Sequence, residues 1–173
     1  MNKQNKPVFP QDENRLSQKM TLFSSMLKEG YHLRMRVTGT SMSPFLKTGA
    51  IVTLSKIPVD QLKIGDIIFC QRDERTLKLH RLIAIKKNML ITKGDALDSS
   101  DHPVDETGYL GKVTCIEDHC SYTVWPRNME TPLSHVINYS LAIYFRYRSF
   151  LICTAINLKS YLNINRLNIP ESR

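Results

Sequence analysis

The sequence predicts an α+β protein that is mainly β, with one helix before the β region and a helical extension after it. Three observations support this prediction. Polar and apolar residues alternate with a period of two at residues 31–37, short apolar runs follow it, and helical periodicity is confined to the two ends. We therefore expect a tail and helix in residues 1–30, a β domain in residues 31–125 and a basic helical extension in residues 126–173.

The first helix is predicted by apolar residues at the spacing i, i+4, i+7 and i+11. These residues are Leu16, Met20, Phe23 and Leu27. Gly30 stands where the residue after a helix end often adopts a positive φ. A single apolar stripe usually docks on the protein's own domain. We expect that here, with the binding of a partner as the alternative.

Between the two ends, the chain shows the pattern of short antiparallel strands. After residues 31–37, apolar runs recur at residues 51–54, 67–70 and 77–85. Turn-forming groups at residues 73–75 and 86–88 predict two hairpins. Several short strands at this spacing favour an antiparallel sheet that is closed or sandwich-like.

The chain is basic, with 24 Lys and Arg against 16 Asp and Glu and a net charge of +8. This charge suits an anionic partner such as a membrane surface or nucleic acid, and it can equally serve solubility. The first 15 residues are polar, so no signal peptide and no N-terminal transmembrane anchor is predicted. The expected location is cytoplasmic, or peripheral at the inner membrane surface. About thirty residues are too few for a separate helix-turn-helix domain, so no specific nucleic acid is expected.

One predicted turn presents a serine hydroxyl. Residues 37–46 contain Gly39, Ser41 and Pro44. Gly39 permits the close approach or positive φ that a tight turn needs, and Pro44 stiffens its exit. Ser41 is therefore the candidate nucleophile, and Gly39 and Thr40 are its supporting neighbours. An unaided hydroxyl is a poor nucleophile, so a base must lie near it and a third residue must orient that base.

The candidate base lies on the strand predicted in residues 76–85. A period of two places Lys78 and His80 on one face of this strand, and Arg81 with apolar neighbours on the other. An ordinary imidazole, with a pKa of about 6.5, can accept a proton at cellular pH, whereas a lysine must first be desolvated. His80 is the preferred base, and Lys78 is a supporting residue and the alternative base. A purely structural, hydrogen-bonded His80 is the other interpretation.

The third candidate group lies in residues 92–103, where Asp95, Asp98 and Asp101 share a loop with Gly and Ser. One of these carboxylates can accept a hydrogen bond from His80 and fix its tautomer. A solvated turn is the alternative. A calcium site is disfavoured because the loop lacks ligands at alternate positions and a closing Glu.

The four cysteines are expected to be reduced core thiols, since no export signal precedes them. Cys115, His119 and Cys120 lack a second ligand pair at the spacing of a zinc site. No metal or cofactor is therefore expected.

Five motifs occur in a fixed order along residues 37–114. They are Gly39-Thr-Ser-Met-Ser-Pro44, Gly65-Asp66-Ile-Ile, Leu79-His-Arg-Leu82, Thr92-Lys-Gly-Asp95 followed by Asp101, and Leu110-Gly-Lys-Val113. As an ordered set, they resemble the signal peptidase I and LexA-type serine peptidase superfamily. The closest resemblance is to its Ser-His branch, typified by endoplasmic-reticulum and some Gram-positive signal peptidases.

This resemblance implies a serine endopeptidase that acts on a peptide or preprotein, with a compact catalytic β core in residues 31–125. Ser41 matches the nucleophile. His80 matches the general base, at the position where other branches have Lys. Asp101, six residues after Asp95, matches the acidic residue that completes the triad, and Asp95 is a supporting group.

The chain also departs from the pattern of signal peptidases. Gly39 replaces a Ser that usually contributes to the oxyanion hole, and Ala50 replaces an acidic residue after Gly49. A LexA-like regulatory module is one alternative function, and a catalytically inactive interaction domain is another. Self-cleavage of the LexA kind is disfavoured, because neither Ala nor Cys occurs before Ala50.

The C-terminal extension is largely apolar in residues 136–158, but Arg146 and Arg148 interrupt it. Each Arg costs about 2.5–3.5 kcal/mol at a bilayer centre, against a gain of about 0.3–0.6 kcal/mol per Leu or Ile, so a central membrane span is not expected. Polar residues recur with an 11-residue period at His135, Asn138, Arg146, Ser149, Asn157 and Ser160. This pattern predicts a long amphipathic helix, or two in register, with Arg148 on the apolar side. It either lies on a membrane surface or covers the catalytic domain.

Overall fold

The computed structural model describes residues 18, 21–73, 76–117 and 128–167, and only the backbone for residues 72–73, 149–153 and 155–167. Within these residues, six antiparallel strands form one sheet, accompanied by two helices. The predicted α+β, mainly β class is therefore confirmed.

The elements are helix α1 (residues 21–28), strands β1 (Leu33–Arg36) and β2 (Ile51–Ser55), a 3₁₀ turn (Val59–Gln61), strands β3 (Ile67–Asp73), β4 (Thr76–Lys86), β5 (Met89–Lys93) and β6 (Tyr109–Glu117), and helix α2 (Pro132–Leu167). The strand order is β1-β2-β6-β3-β4-β5, and each neighbouring pair is antiparallel. The predicted closed or sandwich-like arrangement is not observed in the described strands, which pair into a single sheet with β1 and β5 at its edges.

The hairpin between β4 and β5 turns at the residues that the sequence indicated. Lys87 and Asn88 have φ values of 48° and 61°. A two-residue hairpin loop of this type needs a positive φ at both central positions, because its twist then matches that of the strands. The other predicted hairpin joins β3 and β4, which pair with Asp73 opposite Thr76. Its tip, residues 74 and 75, lies outside the described residues.

The sheet buries apolar side chains on both of its faces. Ile67 and Phe69 of β3 belong to one buried cluster, while Ile68 and Cys70 belong to another. Successive side chains of a strand point to opposite faces, so a strand that is covered on both sides needs a continuous apolar run. The buried Cys70 is a free thiol, as is the half-buried Cys115.

Helix α1 docks on its own domain, as its apolar stripe predicted. Leu27 is buried in the first cluster, and Phe23 packs against it. Gly30, with φ of 86°, ends the helix, and the Tyr31 amide donates to the Met26 carbonyl at 3.0 Å. This pattern satisfies a terminal helix carbonyl that would otherwise lack a partner. Leu16 and Met20 lie outside the described residues.

Helix α2 is a single helix, and one of its faces docks on the β domain. The buried residues of this docked face are Ser134, Asn138, Ala142 and Phe145. A Cβ placed on Gly65 would lie 2.5 Å from the backbone carbon of Asn138, so the helix backbone approaches the sheet closely there. Covering of the β domain is therefore observed for the first half of α2. The side chains of Ser149, Asn157 and Ser160 lie outside the described residues.

The predicted separation of α2 into a polar and an apolar side is wrong for the described side chains. Asn138 belongs to the predicted polar set, but it is buried on the docked face. Apolar side chains such as Val136 and Tyr144 are exposed on the helix instead. The reason is that Asn138 has a buried hydrogen-bond partner on the sheet, described below. No helix in the described part of the chain is long and apolar enough to cross a membrane.

Changing Gly65 to Ala should destabilise the protein by about 1–3 kcal/mol or more. Gly65 has φ of 104°, which strains any residue with a Cβ, and the new methyl group would overlap the Asn138 backbone. Denaturant unfolding measures the loss. Gly39→Ala is the matched control, because nothing lies within 4 Å of a Cβ at that position. Equal stability of the two variants would contradict the close approach of α2 to Gly65.

Candidate active site

Ser41 lies in a compact turn between β1 and β2. The Ser43 amide donates to the Thr40 carbonyl at 3.0 Å, and the Leu46 amide donates to the Met42 carbonyl at 2.8 Å. Met42 and Leu46 are buried in the first cluster, while Ser41 itself is half-buried. Burial of its neighbours therefore fixes the turn and leaves the Ser41 side chain at its surface.

Gly39 does not play the conformational role that the sequence suggested. Its φ is not positive, and a Cβ there would meet nothing within 4 Å. Instead, its carbonyl accepts a hydrogen bond from the Thr48 hydroxyl at 3.0 Å. The positive φ near this turn is found at Gly49, at 94°, just before β2. The expectation for Gly39 is therefore wrong, because the tight turn begins after it.

The loop after β5 holds the Ser41 turn in place. The Ala96 amide donates to the Ser41 carbonyl at 2.8 Å. A Cβ on Gly94 would lie 2.7 Å from the same carbonyl oxygen, so only glycine fits without a shift. Gly94 of the Lys-Gly-Asp motif is thus a point of close approach between two loops.

His80 joins Ser41 to Asp101 through its two ring nitrogens. Its Nε2 lies 2.9 Å from Ser41 Oγ, and its Nδ1 lies 2.5 Å from Asp101 Oδ2. The imidazole is buried and sits on β4, opposite Ile68 of β3. The structure therefore brings together the three residues that the sequence selected.

Asp101 is held by more than His80. The Thr92 hydroxyl donates to Asp101 Oδ2 at 2.8 Å, and the Asp101 amide donates to the Thr92 carbonyl at 2.8 Å. The Lys78 ammonium group binds the other oxygen, Oδ1. Burial alone would raise the pKa of Asp101, but hydrogen bonds from His80, Lys78 and Thr92 outweigh it and hold the pKa well below its ordinary value. Asp101 is therefore an anion at neutral pH.

The charge of Asp101 determines the tautomer of His80. A carboxylate can only accept hydrogen bonds, so Nδ1 of His80 must carry the proton in this contact. Nε2 of a neutral His80 is then the acceptor for the Ser41 hydroxyl. This is the arrangement in which an imidazole can remove the proton of a serine.

Lys78 lies on the same strand face as His80, as the period of two predicted, but it is directed to a different partner. Its ammonium contacts Asp101, whereas the described hydrogen bond of the Ser41 hydroxyl is to His80. Lys78 therefore pairs with the carboxylate, and His80 is the residue that contacts the Ser41 hydroxyl.

Asp95 has a separate role from Asp101. It forms a two-point ion pair with Arg81, with Nε to Oδ1 at 2.9 Å and Nη2 to Oδ2 at 2.7 Å, and both side chains are fully buried. Arg81 Nη1 also donates to the Gly65 carbonyl and to Asn138 Oδ1, each at 3.0 Å. The centre of the Phe45 ring lies 4.5 Å from the guanidinium carbon. The Arg81–Asp95 pair thus holds β4 to the loop, and Arg81 also binds α2 through Asn138.

Sequence reasoning did not identify Arg81 or Asn138 as structural partners. A signal for Arg81 was present, because it falls among apolar residues on one strand face. A buried guanidinium needs a charged partner, and Asp95 is an acid of the nearby loop. Asn138 gave no such signal, because its pairing depends on how α2 docks.

Two further basic residues attach α2 to the loop beside Ser41. Lys93 is buried, and its ammonium donates to the Phe145 carbonyl at 2.7 Å. Burial, reinforced by the nearby Arg148, lowers the pKa of Lys93. Arg148, which the sequence placed on an apolar side of the helix, binds Asp98 of the loop at 2.8 Å. The loop therefore contacts Ser41 on one side and α2 on the other.

The three carboxylates of this loop have basic partners. Asp95 binds Arg81, Asp98 binds Arg148, and Asp101 binds His80 and Lys78. Across the residues described above, no group of three His, Cys, Asp or Glu side chains is arranged to hold a metal ion. His119 and Cys120 of the weak zinc pattern lie outside those residues.

Comparison with protein-family models found no match, and a search of curated proteins found no significant relative. The proposal of a function therefore depends on the geometry of the site and on the ordered sequence motifs.

Two single variants, Asp95→Asn and Asp101→Asn, should differ in stability, because Asp95 has a structural role and Asp101 belongs to the candidate site. Asp95→Asn leaves the Arg81 charge buried without its counter-ion, and breaking such a pair typically costs about 3–5 kcal/mol of stability. Asp101→Asn should unfold at a denaturant concentration closer to that of the unchanged protein, since the partly exposed Lys78 ammonium can reach water and a neutral His80 leaves no buried charge unpaired. Denaturant unfolding of both variants measures the difference. A larger loss of stability in Asp101→Asn would contradict this division.

Proposed function

We propose that this chain is a serine endopeptidase in which Ser41 is the nucleophile, His80 the general base and Asp101 the residue that orients His80. The supporting observation is the continuous hydrogen-bond chain from Ser41 Oγ through both His80 nitrogens to Asp101. A nucleophile, a base and an orienting acid within hydrogen-bond reach are the arrangement that activated-serine catalysis requires.

In the proposed reaction, His80 Nε2 takes the Ser41 proton as Oγ attacks the carbonyl carbon of a peptide bond. The imidazolium that forms is stabilised by the Asp101 carboxylate. It then returns the proton to the departing amine, which leaves an acyl-enzyme. A water molecule, activated by the same imidazole, hydrolyses this ester and regenerates Ser41.

The negative charge that develops on the carbonyl oxygen requires hydrogen-bond donors. In signal peptidases, a Ser two positions before the nucleophile contributes, and here that residue is Gly39. We therefore propose an oxyanion hole built from backbone amides, including that of Ser41. Pre-oriented amides can supply this stabilisation without a side-chain hydroxyl.

The proposed substrate is a leader or signal-like peptide, by resemblance of the ordered motifs to signal peptidases. The fold offers a way to hold an extended peptide, because β1 is an edge strand and leads directly into the Ser41 turn. A peptide can add to such an edge through main-chain hydrogen bonds, which places a scissile bond beside Ser41.

Ser41→Ala should abolish cleavage of leader peptides and leave the fold intact. The change removes the nucleophile, while the half-buried hydroxyl contributes little to the core. Mass spectrometry of peptides incubated with each protein measures cleavage, and thermal unfolding checks the fold. Peptide cleavage by the Ala variant would contradict the nucleophile assignment. The intact mass of the purified wild-type chain shows whether the protein cleaves itself. A wild-type protein that cleaves no peptide would favour an inactive interaction domain.

His80→Ala should be as inactive as Ser41→Ala, and the double variant should lose no more. Nucleophile and base act as one unit, so their losses do not add.

Asp101→Asn should lower kcat by roughly two to four orders of magnitude, with KM changed much less. Lys78→Met should lower kcat less than His80→Ala, because Lys78 acts only through Asp101. If His80→Ala remains active and Lys78→Met is inactive, the protein is instead a Ser-Lys enzyme.

The rate should fall as the pH is lowered into the acidic range. A protonated imidazole cannot accept the Ser41 proton, whereas the lowered pKa of Asp101 keeps that group ionised over the same range. The fall should therefore follow a single protonation, measured as kcat/KM against pH. A rate that requires alkaline pH would point to a lysine base.

A further inference from the structure

Helix α2 carries an exposed apolar face on the side that the β domain does not cover. We call it the outer face; its members are Leu133, Val136, Tyr139, Tyr144 and Tyr147, whose exposed fractions range from 47% to 65%. The docked face is formed by Ser134, Asn138, Ala142 and Phe145. Large side chains exposed together on one surface indicate an interaction site more strongly than scattered ones do.

The charge of α2 indicates what this face meets. Residues Pro132–Leu167 contain no Asp or Glu, and they contain four Lys or Arg residues, namely Arg146, Arg148, Lys159 and Arg166. Arg146 is exposed beside the outer face, with its guanidinium carbon 5.5 Å from the centre of the Tyr147 ring. A helix with exposed apolar side chains, basic residues and no acidic residue is complementary to a surface that has an anionic outer layer over an apolar interior.

We propose that the outer face of α2 binds the surface of a bilayer that contains anionic lipid. Tyrosine suits this environment, since its ring is apolar and its hydroxyl stays among the headgroups. The helix would lie in the interface plane, with the exposed Arg146 near lipid phosphates. The docked face cannot turn to the lipid at the same time, because Asn138 and Phe145 are engaged by Arg81 and Lys93.

The same helix is also connected to the candidate active site. Arg148 of α2 binds Asp98, and the Ala96 amide of the same loop binds the Ser41 carbonyl. Ser41 is thus linked to the lipid-binding helix through one short loop. The inference stands independently of the proposed peptidase activity, because it depends on the outer face alone.

Flotation of the full chain with vesicles tests the proposal. We expect binding to vesicles of equimolar phosphatidylcholine and phosphatidylglycerol, weaker binding to pure phosphatidylcholine, and a decrease as salt is raised. Changing Tyr139, Tyr144 and Tyr147 together to Ser should lower partitioning about tenfold or more, because the apolar part of the contact is lost.

The matched control is Leu22→Ser with Tyr31→Ser, which removes apolar side chains with exposed fractions of 55% and 59% outside α2. This variant should bind vesicles as the unchanged protein does. Arg146→Glu is a second test that leaves the apolar side chains in place, and it should weaken binding to the anionic vesicles specifically. It keeps the proposal testable if the triple Tyr variant fails to fold.

Several results would overturn the proposal. One is the absence of binding to anionic vesicles, and another is equal binding by the triple Tyr variant and the unchanged protein. An equal loss in the Leu22 and Tyr31 control would show that general surface hydrophobicity is responsible. A dimer in sedimentation equilibrium that the triple variant converts to a monomer, without vesicle binding, would assign the outer face to self-association.

Discussion

The buried ion pair between Arg81 and Asp95 is the interaction on which the rest of the site depends. Arg81 is the residue after His80 on β4, and Asp95 lies in the same loop as Asp101. The pair therefore fixes the strand that carries the candidate base relative to the loop that carries its orienting acid. A buried pair is not an efficient source of stability, because desolvation offsets most of its attraction. Its geometry is specific, however, because the two-point contact fixes the position of the loop relative to the strand.

Successive side chains of β4 point to opposite faces of the sheet, so neighbouring residues can have different roles. His80 points to the face that holds Asp101 and Thr92, while Arg81 points to the face covered by α2 and Phe45. The same alternation recurs on β5, where Thr92 bonds Asp101 and Lys93 bonds the Phe145 carbonyl. One face of this sheet edge thus builds the candidate site, and the other face anchors the helix that stabilises it.

The sequence allowed the local features to be predicted, but not the ones that depend on assembly. Strands β1–β4, the Lys87 and Asn88 turn and the end of α1 follow from periodicity and from residues with special backbone preferences, whereas no separate run was predicted for β5 or β6. Ser41, His80 and Asp101 were selected through the order of their motifs, and their mutual contacts agree with that choice. The role of Asp95 was less well defined, since spacing cannot say which of two nearby acids faces His80. The single sheet and the docking of Asn138 were missed, because strand order and helix packing depend on contacts between distant residues.

The position of Lys78 has a consequence for the proposed chemistry. With neutral His80, the Lys78 ammonium and the Asp101 carboxylate balance one another. When His80 takes the Ser41 proton, two cations share one carboxylate, and part of the stabilisation that Asp101 gives to the imidazolium is offset by repulsion from Lys78. That repulsion opposes removal of the serine proton, but it favours its return to the departing amine. The proposed reaction needs both proton transfers from the same imidazole, so the Lys78 ammonium would hinder the first transfer and help the second.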